Sequence, residues 1–288
     1  MKRFLITCLL LLPALSINAA PVYVEHDWLA KNLDNKDVIV LDMTADNVQY
    51  LRFHIPGAVR LSYHDIVTKR KRDKVSVRLA DEQLVKILGA IGVRDAHHVV
   101  IYDDMGGLDA GRLFWELERI GHHEVSVLRG GLVKWVLEGH KVDNKPVQHA
   151  AVVYKKNRDG RKNEASLDDI RNDKDATLLD VRSLDEYVGH PRYPRSGRIP
   201  GAKWWPWEEN VDFDNGFVPK NKQTLQLALN NIGVNDKDMP LTLYCRSGHR
   251  ASQSYLTLRD LGYTNVKLYD ASMAEYSQRR DLPLEKGR

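Results

Sequence analysis

Cysteine is nearly absent from this chain: two occur in 288 residues, Cys8 and Cys245. Cys8 lies in an apolar stretch near the start, so the mature chain is expected to hold one thiol and no intramolecular disulfide. An excess of charge is missing too. The formal net charge is +4, with Lys2 and Arg3 contributing to it, which is no electrostatic footprint for nucleic acid. After the first twenty residues no apolar run is long enough to span a membrane. Several catalytic signatures are also lacking. There is no Gly-x-Ser-x-Gly elbow, no Gly-x-Gly-x-x-Gly after a first strand and no Gly-x4-Gly-Lys phosphate loop. The pairs His97-His98 and His122-His123 have no cysteine beside them and the wrong spacing for a helical ligand pair, so no metal is assigned to them.

What is present begins with the basic Lys2-Arg3, the apolar Phe4 to Leu15 and the small, polar Ser16 to Ala20. This is the pattern of a secretory signal peptide, assigned to residues 1–20. The run falls short of the roughly 20 apolar residues of a spanning helix. The protein is therefore expected to be exported, periplasmic if the source is a Gram-negative bacterium, with no stable membrane anchor once the signal is removed. A lone thiol is unusual in an exported protein, because oxidising compartments favour paired cysteines. Such a thiol is either inert or used.

Its setting argues for use. Leu241 to Tyr244 is an apolar, β-prone run ending at Cys245, and a helical pattern starts at Ala251. Between them lies Arg246-Ser247-Gly248-His249-Arg250. The thiol thus stands where a strand gives way to a helix, and helix-terminal N–H groups favour an anion there. Arg246 and Arg250 add full charges, and Gly248 lets the loop curl into an anion-binding nest. A cysteine so placed is expected to have a lowered pKa and to be largely thiolate near neutral pH. A cysteine packed as a small hydrophobe is the alternative, and two arginines and a glycine within five residues fit it poorly.

The chain also repeats itself at about half its length. The first half has Val38-Ile-Val-Leu-Asp42, His54-Ile-Pro-Gly-Ala58 and Val99-Val-Ile-Tyr-Asp103. The second has Thr177-Leu-Leu-Asp180, Arg198-Ile-Pro-Gly-Ala202 and Leu241-Thr-Leu-Tyr-Cys245. A helical pattern ending at Gly121 or Gly262 follows, then a strand at Val125–Leu128 or Val266–Tyr269, then a turn carrying Trp135 or Tyr276. Helices are expected at Asp27–Leu33, Ala80–Gly89, Ser166–Asn172 and Asn221–Asn231, with acidic or hydroxyl N-caps opening each unit. Strands alternating with helices give an α/β fold with a parallel sheet covered on both faces, and sites at the carboxyl ends of its strands. The expected division is a first domain at 21–145, a linker at 146–160 and a second domain at 161–288. The charge run Lys69–Lys74 reads as a solvated loop, with a site for an acidic partner as the alternative.

The loop and the repeat together resemble the tandem-domain rhodaneses, or sulfurtransferases, over the whole mature chain. In that family the cysteine opens a six-residue loop, often closed by Arg; Cys245 to Arg250 has that length. Rhodanese-fold phosphatases have a loop one residue longer, and a shorter loop cradles one sulfur atom better than a phosphate. The resemblance implies two rhodanese-like domains, the first inactive because Asp103 or Asp104 stands where a catalytic cysteine would be. It implies double displacement without metal or organic cofactor. The Cys245 thiolate takes a sulfane sulfur from a donor such as thiosulfate and passes it to cyanide or a thiol, including a protein thiol, with ping-pong kinetics.

Within that scheme Arg246 and Arg250 offset the repulsion between two anions, one facing the donor and one bracing the loop. The N–H groups of Ser247, Gly248 and His249 cradle the outer sulfur, and His249 adds positive charge or shapes the mouth. Arg246 leans toward thiosulfate, with 3-mercaptopyruvate as the other donor. A persulfide carrier or scaffold, and a cysteine phosphatase or arsenate reductase, are the alternatives from other classes. Where some tandem enzymes place a substrate-binding Arg, this chain has Glu186. Roles stay open for Arg192, Arg195 and Arg198, either on the pocket rim or solvated, and for Trp204, Trp205 and Trp207, either core or pocket wall. Arg182 is expected to pair with a buried carboxylate.

Overall fold

The computed structural model describes residues 20–156 and 159–287, so the expected signal peptide lies outside the described residues except for Ala20. The first half contains β1 (Tyr23–Val24), α1 (His26–Asn32), β2 (Val38–Asp42), α2 (Asn47–Arg52), β3 (Val59–Arg60), β4 (Val67–Lys69), β5 (Ser76–Arg78), α3 (Asp81–Ala90), β6 (His98–Tyr102), α4 (Leu108–Ile120), β7 (Val125–Leu128) and α5 (Gly131–Leu137). The second contains β8 (Glu164–Ala165), α6 (Leu167–Asn172), β9 (Thr177–Asp180), α7 (Leu184–Val188), β10 (Lys203–Trp204), β11 (Val211–Asp212), β12 (Val218–Pro219), α8 (Lys222–Asn231), β13 (Leu241–Tyr244), α9 (His249–Asp260), β14 (Val266–Tyr269) and α10 (Ser272–Tyr276).

Each half forms a five-stranded parallel sheet, in the order β1-β7-β6-β2-β3 and, equivalently, β8-β14-β13-β9-β10. The central strands are short β-branched or leucine-rich runs buried along almost their whole length, as parallel strands covered on both faces require. The repeated sequence blocks explain themselves here, because they bond to one another. The Ile55 N–H donates to Tyr102 Oη at 3.1 Å, and the Ile199 N–H to Tyr244 Oη at 3.2 Å. Tyr50 Oη donates to the Ala58 carbonyl and Tyr187 Oη to that of Ala202, both at 2.9 Å. Each unit closes with an antiparallel bridge to the Ile-Pro-Gly-Ala block, His54 with Asp143 and Arg198 with Glu285.

Helix ends differ from expectation by a residue. α1 starts at His26, so Asp27 lies in its first turn and does not cap it. α3 starts at Asp81, and Gln83 reaches back to the Ala80 N–H at 3.3 Å. Ser166 and Asn221 do cap α6 and α8 through their side chains. Described residues of the segment 146–160 are tied to the first half. The Val152 N–H bonds the Gly89 carbonyl, Tyr154 is buried with its hydroxyl 2.8 Å from His122 Nδ1, and Gly160 lies against the Arg119 carbonyl.

The two halves meet along α4 and α9, whose apolar residues join one core cluster running from Tyr23 to Leu268. Contact is close at Gly111, where a Cβ would stand 2.9 Å from the Ser252 carbonyl and 3.2 Å from Gln253 Cα. A second seam adds to the solvated reading of Lys69–Lys74, which holds for the exposed Lys69, Lys71, Arg72 and Lys74. That run forms the turn of the β4–β5 hairpin, and Arg70 and Arg72 reach Glu275 of the second half at 2.9 and 3.2 Å. Arg78, at the hairpin's end, pairs with Glu164 at 2.8 Å. The acidic partner is on the same chain, some two hundred positions away, which no local window of sequence displays.

Candidate active site

β13 ends at Tyr244, and Cys245 follows at the carboxyl end of the sheet's middle strand. The chain turns through Arg246 and Ser247, and Gly248, at φ +79°, starts α9. Only glycine fits there, since a Cβ would collide with Asp270 Oδ1 and Arg112 Nη1. The turn after β14 holds the loop from below. Ser272 Oγ donates to the Tyr269 carbonyl at 2.7 Å and accepts from the N–H groups of Cys245 at 3.1 Å and Gly248 at 3.2 Å. The N–H groups of Met273 and Ala274 bond the carbonyls of Cys245 and Arg246.

This modifies the expected cradle. The Gly248 N–H is committed to Ser272, so of the three expected cradle groups those of Ser247 and His249 have no partner among the described residues. The thiol is also more enclosed than a surface nest suggests: Cys245 is 1 % exposed.

The first half forms its roof. Tyr63 lies over His249, with ring centroids 4.3 Å apart. Burial first, then the charges of Asp270, Cys245 and Asp109, push the Tyr63 phenol up to about 12 despite the opposing charge of Arg112. Asp109, in the first turn of α4, meets His249 Nε2 at 2.5 Å. Arg112, fully buried, reaches Asp270 at 2.5 Å and Glu116 at 3.2 Å, while Asp270 also accepts the Arg78 N–H at 2.6 Å. A guanidinium from one half and a carboxylate from the other thus meet against the backbone of the loop.

The two loop arginines differ. Arg250 is held by a bidentate pair with Glu186, at 2.6 and 2.9 Å. Burial opposes its charge, but Glu186 and then the Cys245 charge hold the guanidinium above its ordinary range. Glu186 is held correspondingly below its own, its burial outweighed by Arg250. Arg246 is exposed, and its guanidinium has no partner among the described residues. It lines a cleft of about 720 Å³ with Arg182, Glu186, Tyr193, Arg195 and Met273. One cation is fixed and one is free.

Other expected residues find structural partners. Arg182 pairs with buried Asp180 at 2.5 Å. Arg195 donates to the carbonyls of Ser277, Leu282 and Arg279 at 2.7–3.0 Å, and Arg198 binds Glu285 and the Gly287 carbonyl, so both clamp the C-terminal segment. Arg192 stays exposed. Trp205 is buried in the cluster that contains Cys245, and Trp207 packs on it half-buried. Trp204 Nε1 donates to the Arg182 carbonyl at 2.9 Å.

The equivalent place in the first half resolves a gap that sequence alignment leaves open. Asp103 follows Tyr102 as Cys245 follows Tyr244, and the Leu132 N–H bonds its carbonyl as the Met273 N–H bonds that of Cys245. The Asp103 carboxylate accepts from the N–H groups of Met105, Gly107, Asp109 and Ala110 at 2.9–3.1 Å. A side-chain anion fills that nest. Asp104 instead accepts the Ala45 N–H.

Sequence reading missed Ser272, Asp270, Asp109, Arg112, Tyr63 and the pairing of Glu186. For Ser272 a signal exists in the repeat. Its counterpart is Gly131, and both have positive φ, +49° and +54°. A serine where the sister copy uses glycine in a left-handed conformation marks a side chain worth strain.

A family model described as Rhodanese-like domain matches residues 25–138 and 163–279. The chain is 32% identical over 280 residues to a protein of Saccharopolyspora erythraea named "Putative thiosulfate sulfurtransferase", covering 92% of this chain and 96% of that one. It is 33% identical over 283 residues to the sulfur carrier protein TtuD of Thermus thermophilus, covering 92% and 97%. Among solved structures it resembles YnjE, with a TM-score of 0.79 and 21% identity over 93% of this chain and 68% of that one. It also resembles EanB, solved with a cysteine persulfide and ergothioneine, with a TM-score of 0.81 and 22% identity over 93% and 71%.

Proposed function

Since the chain belongs to the rhodanese family and carries one rhodanese-like domain in each half, we propose that it is a sulfurtransferase working through a persulfide on Cys245, with thiosulfate as donor. The Cys245 thiolate attacks the outer sulfur of thiosulfate. The sulfur–sulfur bond of the donor breaks, and sulfite leaves with the electron pair. Cyanide or a thiolate then attacks the outer sulfur of the persulfide and restores the thiolate. Arg246 binds the donor's sulfonate oxygens, and Arg250, braced by Glu186, supplies fixed positive charge beside the sulfur. The first half has no thiol in its nest and serves as roof and brace. The expected export signal makes the compartment extracytoplasmic.

The observation that carries this reading is a cysteine at the end of a parallel strand with one braced and one unpaired arginine in its loop. The test is thiocyanate formation from thiosulfate and cyanide. The wild type is expected to turn over repeatedly and Cys245→Ser not at all; full activity in Cys245→Ser would refute the reading.

One observation favours a second reading. A relative is named as a sulfur carrier protein. A carrier would accept one sulfur and release it only to a protein partner, so loading of one sulfur with no thiocyanate from cyanide and no transfer to a small thiol would point to it.

A further inference from the structure

Metal-ligating side chains converge in the first half, where α1 begins and α5 ends. His26, the first residue of α1, is 4 % exposed. Glu138 follows α5, and Gly139, at φ +78°, turns the chain so that His140 comes back beside it. His26 Nδ1 stands 2.7 Å from Glu138 Oε2. His140 Nε2 is 3.6 Å from the same oxygen. All three ligand atoms lie within 4.8 Å of one another. Asp27 Oδ1 is 4.0 Å from His140 Nε2, on a side chain 84 % exposed and free to rotate inward.

One indole fixes both imidazoles. His140 stacks on Trp135 with centroids 4.4 Å apart, and His26 meets the same ring edge-on at 6.0 Å. Trp135 is itself anchored, its Nε1 donating to the Lys141 carbonyl at 2.8 Å. His26 Nε2 is buried without a partner among the described residues, so the ring's whole polar interaction runs through Nδ1 toward Glu138. Lys134 approaches the other oxygen, Oε1, at 3.7 Å and leaves Oε2 to the two rings.

We propose that His26 Nδ1, Glu138 Oε2 and His140 Nε2 bind a divalent first-row cation of the zinc type, with Asp27 or water as fourth ligand. Two imidazoles and a carboxylate are an established zinc set with one position open. The cation takes the place of the hydrogen bond between His26 and Glu138: the neutral ring then carries its one proton on Nε2, and the Nδ1 lone pair faces the ion. Tetrahedral bonds of about 2.0–2.1 Å set neighbouring ligand atoms about 3.3 Å apart. The pair His140–Glu138 is already near that spacing, at 3.6 Å. Glu138, 41 % exposed, has room to withdraw slightly from His26. The ion would tie α1 to the turn after α5, across 112 positions of chain.

The test takes the whole chain, stripped with a chelator, and uses zinc(II) and cobalt(II) alone as probes. Equilibrium dialysis is expected to find one zinc per chain in the wild type and equally in Cys245→Ala, which removes the competing thiol. Glu138→Gln and His140→Ala, checked for folding by circular dichroism, are expected to bind it about tenfold or more weakly. The cobalt-loaded protein should show d–d bands without a thiolate charge-transfer band. No bound zinc, zinc lost in Cys245→Ala, or undiminished binding in both Glu138→Gln and His140→Ala would overturn the site.

Discussion

Arg246 and Arg250 are four positions apart and have different duties. Arg250 gives its fork to Glu186, so in the proposed mechanism the donor meets Arg246. Removing a charge-assisted contact to an oxyanion costs about 1.5–3 kcal/mol, or roughly ten- to a hundredfold in an equilibrium constant. Arg246→Ala is therefore expected to raise the KM for thiosulfate at least about tenfold with a smaller change in kcat. Steady-state kinetics with thiosulfate varied will read this, and an unchanged KM would remove Arg246 from the donor site. The loop itself was legible in sequence because Cys245, Gly248 and both arginines fall within six residues. Its supports were not. Ser272, Glu186 and Arg112 come from turns and helices up to 133 positions away, and nothing local in their sequence marks them as supports of this loop.

At the level of elements, the repeat was legible because it is written twice. The Tyr-Asp and Tyr-Cys strand ends and the Ile-Pro-Gly-Ala blocks are hydrogen-bonding partners in each half, so both parts are kept together. The joint between the halves was not legible, since pseudo-symmetric packing of α4 on α9 leaves no periodic signature. It is close at Gly111, with no room for a Cβ against the Ser252 carbonyl at 2.9 Å. Gly111→Val is expected to lower the unfolding free energy by about 1–3 kcal/mol through overpacking. Gly111→Ala should fall between Val and the wild type. Denaturant melts will measure this, and a neutral Gly111→Val would mean that the helices do not meet this closely in solution. Charge joins the halves too: Arg112→Met would leave Asp270 buried without its cation, while Glu116 keeps Arg119 at 2.9 Å.

For the whole molecule, two buried groups tie stability to pH with opposite sign. Burial pushes His122 down from 6.5 to about 4, against its bonds to backbone carbonyls. The unfolded chain then holds the extra proton between those values, so this contribution is full above about pH 6.5 and is lost as pH falls to about 4. Burial and the Asp109 charge push Asp103 up from 3.8 to about 6, against its backbone N–H donors. Here the folded chain holds the extra proton, so stability from this group is lost as pH rises across that window. Each effect is about 3 kcal/mol at about 1.4 kcal/mol per pKa unit, and the two oppose each other between about pH 4 and 6. Unfolding free energies of wild type and His122→Gln are therefore expected to diverge by about 3 kcal/mol on going from about pH 4 to 6.5. A pH-independent difference would show that His122 titrates normally in the fold.

The most direct test of the central claim is the intact mass of the whole protein after thiosulfate and again after cyanide. A persulfide on Cys245 predicts a gain of one sulfur atom with thiosulfate, its loss with cyanide, and neither change in Cys245→Ser. An unchanged mass after thiosulfate, or a sulfur gained equally by Cys245→Ser, would contradict it.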